Sequence, residues 1–234
     1  DSVPHLSPSA LVGRVALVVG SGQLSQDTAA LLLAAGADVM VASSCPDRRA
    51  RFTPHDHLHV LPVCLATDHG AMQAKRRIAR QFGRLDLVVA TLGSWLPPDR
   101  VSEKVRFRSE RVMDPTMDAH YSLARTLLPL MAEHIGTHYM LLNDTARKGG
   151  AGVTARLLLK DALAAEGRLI GVGVHTVVLG QDADQTIDFG ARVGGIATEL
   201  LTTHNRGSRT FRLGQMTSSY GVGRRPRTGF PLAA

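Results

Sequence analysis

Short valine-rich apolar runs alternate with segments of helical periodicity along most of this chain, and that alternation leaves few folds open. Arg14-Val-Ala-Leu-Val-Val-Gly20 reads as a buried strand, and 23–35 follows with Leu24, Ala29, Leu31 and Leu32 at helical spacing until Gly36 stops it. The unit repeats. Further strands are expected at 38–43, 59–64, 85–91, 139–143, 169–179 and 209–213. Helices are expected at 69–82, from beyond Pro115 to about His134, and at 154–166 and 191–203. Strands that alternate with helices pair in parallel through right-handed crossovers. The prediction is an α/β, Rossmann-like, doubly wound and mainly parallel seven-stranded sheet with helices on both faces.

The chain's 234 residues, 44% hydrophobic, are enough for one substantial core, so a single domain is expected over 1–217. The tail 218–234 carries Gly223-Arg-Arg-Pro-Arg-Thr-Gly229, has no periodicity and reads as an irregular basic extension. The net charge of +7 comes mostly from arginine and favours an anionic partner. Nucleic acid is disfavoured, because no aromatic platform or groove-reading module accompanies the charge. Cys45 and Cys64 are too few for a disulfide framework, and no charged leader or membrane-length apolar run is seen. A reducing, cytoplasmic setting is the expectation.

Gly20-Ser-Gly22-Gln-Leu-Ser25 lies between the first strand and the first helix, where a dinucleotide fold holds the cofactor's pyrophosphate. That task needs a tight turn, close backbone approach and amides at a helix N-terminus. Gly20 and Gly22 meet it; Ser25 replaces the third glycine of the pattern, and a purely structural turn is the competing reading. The second strand ends in Ala42-Ser-Ser44 without a carboxylate for an adenosine ribose, and Arg48 and Arg49 follow. NADP(H) is therefore favoured over NAD(H) if a dinucleotide binds.

In order and spacing, these segments resemble the short-chain dehydrogenase/reductase family from about Gly13 to Gly214. Gly13-Arg-Val-Ala-Leu-Val-Val-Gly20 is similar to its opening strand, and Leu61-Pro-Val-Cys-Leu-Ala-Thr-Asp68 to its third strand and turn. Phe82-Gly-Arg-Leu-Asp-Leu-Val-Val-Ala90, Leu123-Ala-Arg-Thr-Leu-Leu-Pro129 and Gly173-Val-His-Thr-Val-Val-Leu-Gly180 continue the likeness. The resemblance implies a cofactor site at Gly20, Ser21, Gly22, Leu24, Ser43, Arg48, Leu65, Ala90, Lys160 and Gly180. It also implies a small-molecule ligand, and a homodimer or homotetramer formed through the two long helices.

The functional residues depart from the family's pattern. Leu65 stands where an aspartate flanks the adenine, Ala90-Thr-Leu-Gly93 keeps one glycine of Asn-Asn-Ala-Gly, and the asparagine of the long helix falls at Thr116. The serine's place falls in Asn143-Asp-Thr145. In the family's Tyr-x-x-x-Lys pair, an ammonium lowers the phenol's pKa so that it exchanges a proton with substrate. Here Lys160 survives but Arg156 replaces the phenol, and a guanidinium stays charged. None of Tyr121, Tyr139 and Tyr220 has a lysine four residues on. Only Thr145, Lys160 and Asp144 remain as candidate catalytic residues. Three readings follow. One is a protein of this fold without its usual redox chemistry, acting as an altered enzyme or a small-molecule-binding pseudoenzyme. The others are an NADPH-dependent carbonyl reductase with a substituted acid, and a dinucleotide-sensing, partner-binding regulator.

Other clusters read more plainly. His55-Asp-His-Leu-His59 would align three imidazoles on one strand face but lacks a fourth ligand, so no metal site is assigned. Lys75-Arg-Arg77 and Arg80 read as a solvated helix face, and Arg147-Lys-Gly-Gly-Ala-Gly152 as a flexible loop. Trp95 either lines a pocket or covers the sheet end. The ten residues between Gly180 and Ala191 leave no room for a mobile lid.

Overall fold

The computed structural model describes residues 9–20, 22–42, 52–65, 67–92, 115–144, 150–179, 189–203 and 207–213. Seven strands form one sheet: β1 (Val15–Val19), β2 (Asp38–Ala42), β3 (Leu58–Leu61), β4 (Leu87–Leu92), β5 (His138–Asp144), β6 (Gly173–Leu179) and β7 (Thr210–Leu213). All pair in parallel, in the order β3-β2-β1-β4-β5-β6-β7. Among the described residues, five helices cover it: α1 (Gln23–Ala34), α2 (Asp68–Phe82), α3 (Pro115–Ala132), α4 (Gly150–Ile170) and α5 (Phe189–Thr202). This is the Rossmann-like architecture expected from the alternation.

The alternating faces of each strand divide the core in two. Leu17, Tyr139, Leu141 and Val174 face α2, α3 and α4, packing on Ile78, Leu127 and Leu163. Val18, Val89, Met140 and Val177 face α1 and α5, packing on Leu32, Val193 and Leu200. With both faces covered, the strands read as continuous apolar runs. On the second face, α5 approaches α1 closely: a Cβ on Gly190 would lie 2.2 Å from the Asp27 side chain, and one on Gly194 would lie 2.7 Å from Leu31.

Where element bounds differ from expectation, local chemistry explains the difference. β3 stops at Leu61, not at residue 64, because Pro62 has no N–H for the ladder and Val63 N–H turns back to the Leu61 carbonyl at 2.9 Å. α4 runs past residue 166 because Gly167 is a close-contact glycine, not a stop: a Cβ there would sit 2.6 Å from Val174. The stop is Gly171, at φ +77°. β6 consequently starts at Gly173 instead of 169. At its other end α4 takes in Gly150–Gly152, read from sequence as a loop; Arg147, Lys148 and Gly149 lie outside the described residues.

Tyr139 is fully buried in β5, and its hydroxyl has no hydrogen-bond partner among the described residues. Burial pushes the phenol pKa up. Tyr139→Phe is therefore expected to leave stability unchanged or raise it by up to about 1 kcal/mol, because it removes an unsatisfied polar group without opening a large cavity. Urea midpoints of the two proteins check this, and a loss of stability would show that the hydroxyl has a partner.

Candidate functional site

The chain winds outward from β1 through β2 to β3, then crosses back to add β4 on the other side of β1. That reversal creates a crevice at the C-terminal ends of β1 and β4, the position at which open parallel sheets hold ligands. Gly20, after β1, and Gly22, before α1, lie at this crevice. Gly20 has φ +127°, a conformation that side-chain-bearing residues rarely adopt. Gly22 is the N-cap of α1, extended at φ −80° and ψ 175°, and a Cβ there would meet nothing within 4 Å.

The N-terminus of α1 is left electrically open. Among the described residues no side chain caps it, and no acidic residue sits in its first turn. The Gly22 carbonyl accepts from Ser25 and Gln26 N–H, both at 3.1 Å, which leaves the N–H groups of Gln23 and Leu24 without an intrahelical acceptor. Such donors and the positive helix end favour an anion. Ser25, in place of the pattern's third glycine, is buried. The turn thus accepts a small side chain there. These features fit a pyrophosphate; Gly20, Gly22 and the main chain of Gln23 and Leu24 would hold it.

The other candidates are distributed unevenly. Ala90 lies in β4 beside Val19 of β1 and Leu141 of β5, under the crevice. Asp144 is the last residue of β5, paired in register with Leu179. Leu65 is buried in the core on the α2 side, so it offers the crevice no polar group. Ser21, Ser43, Arg48, Thr145 and Gly180 lie outside the described residues, as do Cys45 and Trp95. Cys64 is a free thiol.

Lys160 stands midway along α4, partly exposed, with Nζ 3.7 Å from Asp161 Oδ1 on the same helix. An ion pair of that length, with Asp161 well exposed, contributes little. Arg156 lies one turn earlier in α4. Neither tyrosine in the described residues replaces the missing phenol in sequence: Tyr139 is sealed in the core near the start of β5, the end opposite Asp144, and Tyr121 is exposed on α3.

The three imidazoles of 55–59 do not share a strand face, because β3 begins only at Leu58. His57 Nδ1 meets Asp38 Oδ1 at 2.9 Å, while His59 packs edge-on against Phe82 and meets Gln81 Nε2 at 2.9 Å. No group of three metal-ligating side chains is arranged to hold an ion among the described residues. Arg76, Arg77 and Arg80 are exposed while Ala74 and Ile78 are buried, the solvated basic face expected for α2.

Two charged or titratable clusters escaped the sequence reading. Both lie at the opposite, N-terminal end of the sheet. Asp86, fully buried just before β4, accepts from Arg14 Nη1 at 2.8 Å, Val15 N–H at 2.9 Å, and Arg84 Nε and Nη2 at 2.8 and 2.6 Å. Burial pushes its carboxyl up, but the hydrogen bonds from Arg84, Val15 and Arg14 prevail and hold it below the ordinary range. The second cluster is a buried pair, His138 and His175, on adjacent strands. The only sequence signal was His175 within the expected strand 169–179 and His138 just before the expected strand 139–143.

No family model matches the chain, and no curated protein matches it by sequence. Solved structures do. The citronellol catabolism dehydrogenase AtuB of Pseudomonas aeruginosa PAO1 aligns with TM-score 0.70 at 15% identity, over 91% of this chain and 98% of that one. Enoyl-[acyl-carrier-protein] reductase (NADH) from Aquifex aeolicus VF5 aligns with TM-score 0.67 at 19% identity, over 87% and 95%. The Pseudomonas aeruginosa RhlG/NADP active-site complex aligns with TM-score 0.66 at 21% identity, over 89% and 98%. At these identities the likeness is one of fold, and it extends over nearly the whole of each chain.

Proposed function

We propose that this chain binds a nicotinamide dinucleotide, with NADP(H) preferred, and has lost the proton-transfer step by which a tyrosine-lysine pair reduces carbonyl compounds. It acts as a small-molecule-binding pseudoenzyme or as an enzyme of altered, non-redox chemistry. The observation that carries the binding is the turn itself: two glycines at the topological switch point, one at φ +127°, opening onto an uncapped helix N-terminus. A structural turn would gain stability from a capping side chain at Gly22, and this one does without. NADP(H) is preferred because Ala42-Ser-Ser44, at the end of β2, carries no carboxylate for a ribose and Arg48 and Arg49 follow.

A bound nicotinamide supplies a hydride donor or acceptor. The chain's own residues must supply the proton, and Arg156, permanently cationic, cannot exchange one. Lys160, partly exposed and beside Asp161, does not make good the loss. Calorimetric titration of the intact chain with NADPH and NADH, followed by assay against a panel of aldehydes and ketones, tests the reading. Binding without turnover is expected.

A second reading is favoured by the position of Asp144 at the C-terminal end of β5, the strand next to β4 and on the same end of the sheet as the crevice. In it the chain is an NADPH-dependent carbonyl reductase that uses Asp144 as acid, with Thr145 and Lys160 assisting. Turnover abolished by Asp144→Asn would establish that alternative.

A further inference from the structure

The buried histidine pair forms a directed hydrogen-bond chain. His175 Nδ1 accepts from the main-chain N–H of Arg209 at 3.2 Å, so that nitrogen carries no proton. Neutral His175 therefore bears its proton on Nε2, which lies 3.0 Å from His138 Nδ1 and donates to it. His138 must in turn hold its own proton on Nε2, which lies against the backbone of Leu200 on α5 without a hydrogen bond of ordinary geometry. One amide of the β7 segment thus fixes the tautomers of two imidazoles in sequence.

The surroundings keep the chain neutral and in register. Both rings are buried. Between them lies Gly173, where a Cβ would sit 2.6 Å from His138 Nδ1 and 2.8 Å from His175 Nε2; glycine leaves the gap through which the rings meet. The charged groups facing the pair are Arg14 before β1, Asp86 before β4, and Arg209 before β7, whose guanidinium pairs with Glu199 of α5 at 3.1 Å. Phe211 of β7 covers His175, with ring centroids 6.2 Å apart. No carboxylate pairs directly with either ring among the described residues, so a second proton on either would place two donors face to face or break the bond to Arg209.

We propose that the His138–His175–Arg209 chain is an acid-sensitive latch that holds β7 to the sheet, and that protonation of the pair releases this edge strand before the remaining strands open. β7 is the natural element to release. It is short, pairs only with β6, and has exposed residues at alternate positions.

The direction of the effect follows from linkage. Burial is the main cause that lowers His138 to about 4, and burial followed by the charge of His138 lowers His175 to about 3; both rings return to about 6.5 when released. The open state binds more protons below about pH 6.5, so the latch is at full strength above that value and weakens as pH falls toward 4. Each histidine contributes up to about tenfold in the opening equilibrium per pH unit over that window.

Amide hydrogen exchange on the intact chain, corrected for intrinsic exchange at each pH, tests the latch. Between about pH 7 and about pH 5, protection at 209–213 is expected to fall at least about tenfold more than protection in β1 and β4. Equal loss in all strands, or none in β7, would overturn the proposal. The double variant His138→Gln/His175→Asn keeps an acceptor for the Arg209 N–H and is expected to flatten the profile. Nitrogen NMR of the wild-type imidazoles near neutral pH is independent of that variant's folding. Both rings are expected in the Nε2–H tautomer, and an Nδ1–H His175 would contradict the latch.

Discussion

Asp86→Ala is expected to leave little folded protein at physiological temperature. The carboxylate is fully buried and is the shared acceptor for two guanidinium groups and the Val15 amide. Its removal leaves the buried Val15 amide without an acceptor and takes the shared partner from two guanidinium groups that are a quarter and a third exposed. The cost is therefore expected at about 3 kcal/mol, the lower end for breaking a buried pair from one side. A domain of this size has only about 5–15 kcal/mol in all. The cluster also ties the start of β1 to the start of β4, so its loss loosens the two strands that border the candidate site. Asp86→Asn, which keeps the shape and one accepting oxygen, is expected to fall between the variant and the parent. Urea unfolding measures both, and a cost below about 1 kcal/mol for the alanine variant would show that the arginines find other partners.

Gly22→Asp is expected to move stability and binding in opposite directions. Gly22 is the N-cap of α1 in an extended conformation that aspartate also adopts, with open space where the Cβ would go. The new carboxylate can accept from first-turn N–H groups and interacts favourably with the helix end, which contributes about 0.5–1 kcal/mol. Those are the groups proposed for the pyrophosphate, and the substitution adds an anion beside the one to be bound. NADPH affinity is expected to fall at least about a hundredfold, or about 2.7 kcal/mol, while the thermal midpoint holds or rises. Parallel loss of both would mean that the turn is strained by the substitution and says nothing for an anion site; unchanged affinity would place the cofactor elsewhere.

The fold was legible because its signal is distributed. Valine-rich runs, helical spacing and glycine stops recur often enough that no single element decides the outcome. Errors arose where one residue type has two uses. Gly167 marks a close contact and Gly171 a stop, yet both look like helix breakers; Pro62 ends β3 inside an apolar run. The glycine turn was legible as a pattern, and its geometry came only with the structure.

The clusters at the sheet's other end were hidden for a different reason. Asp86 and its partner Arg14 are far apart in the chain, as are His138 and His175, and only the parallel register of β1 with β4 and β5 with β6 brings them together. Nothing in local spacing carries that information. By contrast, the absence of a phenol before Lys160 is wholly a sequence observation.

The central claim is that a dinucleotide site has outlasted the proton-transfer chemistry usually built beside it. Titration of the intact chain with NADPH, with nicotinamide absorbance then followed against a carbonyl panel, examines both halves in one preparation. Saturable binding is expected, with absorbance falling no faster than in a protein-free control. Failure to bind at millimolar NADPH, or turnover whose pH profile reveals a protein acid titrating near neutrality, would contradict it.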